Sequence, residues 1–300
     1  MTVERVVVGI DFSPSSIDAA QWVSRHFAPN AELVLAHIIS IPSAPPIVSS
    51  RYPQRELLVG TVREGAEKKL KEISLSLGAN RVWLEIREGE SVDSIIALAT
   101  DFSASLIAAG TRGERTDRAP ILGSTAEHLV RASAHPVLLV ANPRPAPLRR
   151  ILVPLEKPDH APHALEWAGT LSRQYNAQVT TVHVSKGGLA SGALAALSVV
   201  AGTPPVDVHV PHAAGDETNQ WLSSAVAAGI PREQVTSEVV DGEPVQAIIA
   251  AQERLDADLI VMSRRNVGNL RRAVLGSVVA GVLRDAPCPV LVVPEPEHSR

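Results

Sequence analysis

The residues of this chain best suited to chemistry lie between positions 110 and 125, in the stretch GTRGERTDRAPILGST. Gly110 and Gly113 stand close together, nine residues intervene, and Gly123 follows with Ser124 and Thr125 directly behind it. A glycine lets another molecule approach the main chain where a Cβ would collide. If Gly123 opens a helix, the free N–H groups of Gly123, Ser124 and Thr125 and the positive end of the helix dipole form a site for an anion. Arg112, Arg115 and Arg118 lie between the glycines and suit a polyphosphate, although a solvated charged loop accounts for each equally well. Ser124 and Thr125 fit helix caps as well as they fit ligand contacts. Neither G-x-x-x-x-G-K-[ST] nor two glycines separated by one residue occurs, which excludes the P-loop and the dinucleotide fingerprint.

The elements that must hold this loop emerge from an internal repeat. RVVVGID (5–11) answers RILVPLE (150–156), and Trp22 answers Trp167, both pairs 145 residues apart. GESVDSIIALATDFSASLIAAG (89–110) answers GEPVQAIIAAQERLDADLIVMS (242–263), and APILGSTAEHLVRASAHPVLLV (119–140) answers RAVLGSVVAGVLRDAPCPVLVV (272–293), now 153 apart. The second copy therefore carries extra residues between about 185 and 235. Short apolar runs at 6–10, 33–39, 82–86, 106–109 and 137–140 read as strands, and helical spacing between them gives β-α-β-α-β-α-β-α-β in each copy. Ser15 and Asp18 are placed as a capping pair for the first helix. Alternating strands and helices imply parallel sheets with right-handed crossovers. The expected fold is α/β: two tandem three-layer α/β/α domains, each with a five-stranded, mainly parallel sheet. NPRPAP (142–147) is the linker, because proline stops both helices and central strands. The expected domains are 1–146, with the intact glycine motif, and 147–300, with a degenerate one. The stretch 186–207 is too rich in glycine and small residues to assign.

Composition agrees. Of the 300 residues 45% are hydrophobic and only 3% aromatic, so the core is built from Val, Ile, Leu and Ala, as buried parallel strands require. A net charge of −4 argues against a nucleic-acid surface. No apolar run is long enough for a membrane helix and the N-terminus lacks a signal-peptide pattern, so a cytoplasmic protein is expected. The single cysteine, Cys288, fits a reducing compartment and reads as a small buried hydrophobe.

The loop G-x2-G-x9-G-[ST] after a fourth strand, with GIDFSPSS after the first and AHI (36–38) in the second, resembles the universal stress protein family, and the tandem layout resembles its two-domain members. The resemblance covers nearly the whole chain. It implies the adenine nucleotide alpha hydrolase-like fold and an ATP-binding module of the stress response. It also implies roles: Asp11 near the ribose and phosphates, the main chain at Ile38 reading the adenine edge, and Gly110, Arg112, Gly113, Gly123, Ser124 and Thr125 holding ribose and phosphates. Magnesium would come with the nucleotide, held largely by phosphate oxygens with Asp11 as a contributor. From the residues alone, Asp11 is equally a turn residue or a cap. The family also implies that the last strands of the two copies, Val137–Val140 and Val290–Val293, meet in an internal pseudo-dimer; a homodimer of whole chains is left open.

In the second copy Gly110 becomes Ser263, Gly113 becomes Asn266 and Asp11 becomes Glu156, while Gly276 and Ser277 remain. ATP is therefore expected mainly in the first domain. Within the loop there is no histidine and no G-x-S-x-G elbow, so no catalytic residue is assigned and slow ATP hydrolysis is the most the sequence allows. His37 and His183, inside strands, read as histidines bonded to main chain. His128 and Glu127 lie past the first turn of their helix and point away from the phosphates. The alternative function is a non-nucleotide stress or scaffold protein with a metal or other small-ligand site in the second domain, built on His160 and His163 in DHAPH and His209 and His212 in HVPH, near Asp216 and Glu217. That spacing is short and common, and no metal ligand is assigned.

Overall fold

The computed structural model describes residues 2–40, 54–78, 81–111, 122–156, 162–185, 215–264 and 275–295. The first repeat runs β1 (Arg5–Gly9), α1 (Pro14–Trp22, continued by a π-helical turn over Val23–Phe27), β2 (Glu32–Ile39), α2 (Gln54–Ser76), β3 (Val82–Glu88), α3 (Ser91–Asp101), β4 (Leu106–Gly110), α4 (Ser124–Ala132) and β5 (Val137–Val140). The second runs β6 (Arg150–Leu155), α5 (Pro162–Tyr175), β7 (Gln178–Ser185), α6 (Gly215–Ala227), β8 (Val235–Asp241), α7 (Pro244–Leu255), β9 (Leu259–Arg264), α8 (Ser277–Asp285) and β10 (Val290–Pro294). Helices and strands alternate as the hydrophobic pattern requires; β1, β4, β5 and β10 are buried runs of Val, Ile, Leu and Ala, whereas the outer strands β3 and β8 are largely half-exposed.

The chain forms two compact units. One contains Met1–Pro147 together with the returning segment Cys288–Pro294; the other contains Leu148–Arg265, Gly276–Pro287 and the chain beyond Glu295. In the first unit the strand order is β3-β2-β1-β4-β5-β10. The first five strands are parallel, whereas β10 runs antiparallel to β5, with Val290 opposite Leu139 and Val292 opposite Val137. The strands expected to join the two copies are therefore paired, and the last strand of the second repeat belongs to the first unit. The second unit has a parallel sheet in the order β9-β6-β7-β8.

Both repeats use the same local devices. Gly89 and Gly242 adopt φ of 141° and 143°, a region that favours glycine, and lead into Glu90 and Glu243. Each glutamate caps the next helix through its own carboxylate, Glu90 accepting from the N–H groups of Val92 and Asp93 and Glu243 from those of Val245 and Gln246. Arg5 and Arg150 tie the starts of β1 and β6 to the carbonyls of Phe102 and Asp256, where α3 and α7 end. One expectation is corrected. Helix α1 is capped by Ser13, whose Oγ accepts from the N–H of Ser16, and Ser15 lies inside the helix. Pro14 explains the difference: its fixed φ and missing N–H suit the first helical position, so the helix starts one residue before Ser15.

Glu295 caps α5 from the far end of the sequence. Its carboxylate lies 3.5 and 3.4 Å from the N–H groups of His163 and Ala164 and 3.9 Å from the His163 ring, with its side chain only 3% exposed. Burial raises this carboxyl above its ordinary value of 4.5, against the pull of His163 and the two N–H groups. The folded chain thus binds this proton more tightly than the unfolded chain, so stability is fully present below the ordinary value and declines as pH rises through the raised one. Glu295→Gln keeps an acceptor for the helix and cannot lose a proton. Calorimetric melts across acid to neutral pH are expected to show the variant gaining on the parent by on the order of 1 kcal/mol as pH rises; parallel curves would contradict this.

Candidate functional site

In an open α/β sheet, strand ends and helix starts converge at the carboxyl edge. In the first unit they enclose a pocket of about 430 Å³ between the ends of β1, β2 and β4 and the first turns of α3 and α4. Its wall includes Asp11, His37, Ile38, Gly110, Ser124 and Thr125, and the volume lies in the range of small-molecule sites.

Each part of the wall has a local cause. Asp11 is exposed, and its Oδ1 accepts from the N–H of Ser13 at 3.0 Å and the hydroxyl of Ser13 at 2.5 Å, so it both faces the pocket and fixes the cap of α1. Phe12, between them, has φ of 65°, stacks on His37 at 4.4 Å between ring centroids, and lies under the Lys69 ammonium at 5.0 Å. The Nδ1 of His37 bonds the carbonyl of Ile10 at 2.8 Å, and in the second repeat the Nδ1 of His183 bonds Leu155 at 3.0 Å, so both are the main-chain-bonded histidines expected. Gly123 is the N-cap of α4 with φ −62° and ψ 141°, and no side chain among the described residues caps that helix; its own N–H donates to the carbonyl of Thr111 at 2.9 Å. Glu127 pairs with Arg131 along α4, and Ser124 and Thr125 are exposed at its start. The first-turn N–H groups therefore face the pocket without a side-chain cap from the described residues, unlike those of α1 and α3.

Six of the eight expected site residues, Asp11, Ile38, Gly110, Gly123, Ser124 and Thr125, line this one pocket. Arg112 and Gly113, with Arg115 and Arg118, lie outside the described residues, as do Asn266, His160, His209 and His212. Gly110 also has a packing reason to be bare. A Cβ there would sit 2.5 Å from Ser15 Oγ and 2.7 Å from the Ser15 carbonyl carbon, so the bare backbone admits α1 against β4 before any ligand is considered. Ser40, Ser91 and Ile95 also line the pocket and were missed, since nothing in sequence spacing places α3 beside the glycine loop. The hydroxyls of Ser40 and Ser91 lie 3.0 Å apart.

The universal stress protein family model matches residues 2–141 and again 147–294. The chain belongs to the universal stress protein family. A universal stress protein of Mycobacterium tuberculosis is 25% identical over 97% of this chain and 95% of its own length. One from Methanocaldococcus jannaschii is 39% identical over 66 residues, which span 22% of this chain and 39% of that protein. The crystal structure of a universal stress protein from Archaeoglobus fulgidus covers 99% of this chain and 98% of its own with a TM-score of 0.68 at 22% identity, a likeness of fold. This universal stress protein thus carries two family repeats, and no helix among its described residues is long and apolar enough to cross a membrane.

The second family repeat departs at the corresponding positions. Gly9 is answered by Pro154, Asp11 by the exposed Glu156, Gly110 by Ser263 and Thr111 by Arg264, which is 5% exposed. Pro154 has no N–H for a ladder, and β6 pairs with β9 only at Ile151 and Leu152, where β1 pairs with β4 at four positions. Gly276 still opens α8 without a side-chain cap. His163, half of one H-x-x-H pair, lies against Glu295, and no group of three or more metal-ligating side chains occurs among the described residues.

Gly110→Ala tests the reason for that glycine. The added Cβ must push α1 from β4, so a loss of ~1–3 kcal/mol is expected in chemical denaturation with no nucleotide present. Unchanged stability would return Gly110 to a purely ligand-driven role.

Proposed function

We propose that the first unit is a regulatory adenine-nucleotide module that takes ATP with magnesium. The observation that carries this reading is the start of α4, which no side chain among the described residues caps and which lines one pocket with Asp11 and the end of β2. An anion there receives the N–H groups of the first α4 turn and the helix dipole, together worth more than a surface ion pair because they are preoriented. Gly110, Gly123, Ser124 and Thr125 would border ribose and phosphates, with Arg112 and Gly113 contributing from the sequence between them. Ile38, at the end of β2, would offer main-chain N–H and C=O groups to the flat adenine edge.

The donor set suits the metal that accompanies such a ligand. Asp11 is a hard oxygen donor at the phosphate end of the pocket, and magnesium takes few protein ligands beside phosphate oxygens. Bound magnesium would supply charge neutralisation for the phosphates. Ser13 would hold the Asp11 carboxylate in place for it. No side chain of the pocket is placed as both acid and base, which favours occupancy as the output and makes hydrolysis at most slow. The changes at Pro154, Ser263 and Arg264 argue for one nucleotide per chain.

Titration calorimetry with magnesium-ATP is expected to give one site per chain. Ser124→Glu puts a carboxylate at the exposed start of α4, where it repels the phosphates and satisfies the same N–H groups, so binding should weaken by at least about tenfold, or ~1.4 kcal/mol. A folded parent protein without saturable heat at millimolar ATP would overturn the reading, and two equal sites would overturn the assignment to the first unit alone.

A further inference from the structure

Strand β3 is the outer strand of the first unit's sheet, and its exposed residues are of the wrong kind for an open edge. Trp83 is 47% exposed and Leu84 39%, adjacent residues whose side chains point to opposite faces. Val62 on α2, the helix packed against β3, is 44% exposed. Natural edges are guarded by charge, proline, bulges or covering segments. Here one guard is visible: Arg63 donates to the carbonyl of Ile86 at 3.2 Å and to the Glu88 carboxylate at 3.3 Å, so the last third of the strand is occupied.

We propose that two copies of this chain associate through their β3 strands, paired antiparallel about a twofold axis with Trp83 opposite Trp83. This interface is separate from the nucleotide reading. The backbone fixes which registers can form. The N–H of Leu33 takes the carbonyl of Arg81, so Arg81 and Trp83 turn their main chain toward β2, while Val82, Leu84 and Ile86 turn theirs outward. The Arg63 contact at the Ile86 carbonyl confirms that alternation. In an antiparallel ladder facing residues are both turned inward or both outward, so each odd residue must oppose an odd one.

Charge then chooses among the allowed registers. Centring on Leu84 sets Arg81 against Arg87, and centring on Glu85 sets two carboxylates face to face; like charges directly opposite destabilise a sheet. Centring on Ile86 requires the carbonyl that Arg63 already holds. Centring on Trp83 sets Arg81 opposite Glu85 on both sides of the axis and brings Val82 opposite Leu84 through outward main chain that bonds no other described residue. Arg81 is three-quarters exposed beyond its 2.5 Å pair with Glu32, and Glu85 makes no ion pair among the described residues. The facing tryptophans form the kind of cross-strand aromatic pair that stabilises sheets, and the partner is self-complementary, as a twofold interface requires.

Sedimentation equilibrium of the full chain over a wide concentration range tests this. The expected result is a mass that climbs toward that of two chains, stays at one chain in Trp83→Lys, and needs at least about tenfold more protein in Glu85→Arg, where arginine would face Arg81. The charge-swapped double variant, Arg81→Glu with Glu85→Arg, should recover association. In a facing pair without ladder bonds the Cα atoms are about 4.5 Å apart, within disulfide reach, so Trp83→Cys should cross-link on mild oxidation and Ile86→Cys should not. Circular dichroism of each variant separates loss of association from loss of fold. A monomer at every concentration, association indifferent to Trp83→Lys and Glu85→Arg, or cross-linking at residue 86 in place of 83 would each overturn the proposal.

Discussion

Asp11 takes two hydrogen bonds on one carboxylate oxygen, from the N–H and the hydroxyl of Ser13, and the first unit's pocket is shaped by where that pair holds the start of α1. Ser13 in turn caps the helix, which fixes its direction as it leaves the sheet. The helix then passes β4 so closely at Gly110 that no side chain fits between them. Phe12 is forced to a positive φ, a strained state for a bulky residue, and its ring is held between His37 and Lys69. The result is a carboxylate, a bare strand end and an uncapped helix start within one cavity, each positioned by main-chain geometry.

Comparison of the repeats separates what the fold needs from what the pocket needs. The arginine at the start of the first strand, the glutamate cap after a left-handed glycine, and the histidine bonded to the first strand's last carbonyl recur in both copies. All three act on backbone groups that any copy of this sheet must satisfy. The differences gather at the carboxyl edge, where Gly9, Asp11, Gly110 and Thr111 give way to Pro154, Glu156, Ser263 and Arg264. A proline that shortens a ladder and a buried arginine thus stand where the first copy has Gly9 and Thr111.

Much of this was legible in the sequence because parallel sheets write themselves as buried apolar runs. Val137–Val140 coincides with β5 to the residue, and Gly123 opens its helix as expected. Ser15 misled because a serine before an apolar run has the composition of a cap, whereas Pro14 moved the cap two residues earlier, to Ser13. The packing reason for Gly110 was hidden, because a glycine beside a ligand loop reads the same whether the approaching atoms are a phosphate or Ser15. Trp83 and Leu84 were invisible as surface residues, since RVWLEIRE has the apolar content of a covered strand and only the strand order puts it at an edge. Ser40, Ser91 and Ile95 join the pocket through tertiary packing that no local spacing encodes.

The position of β10 bears on how the molecule comes into being. The strand that pairs with β5 in the first unit's sheet is the final strand of the second repeat. Domains that fold as they emerge usually close on residues already made. Here Val137–Val140 must wait, with ladder groups uncovered on one side, until the whole second repeat has left the ribosome. Completion of the first unit thereby depends on the second repeat having been made.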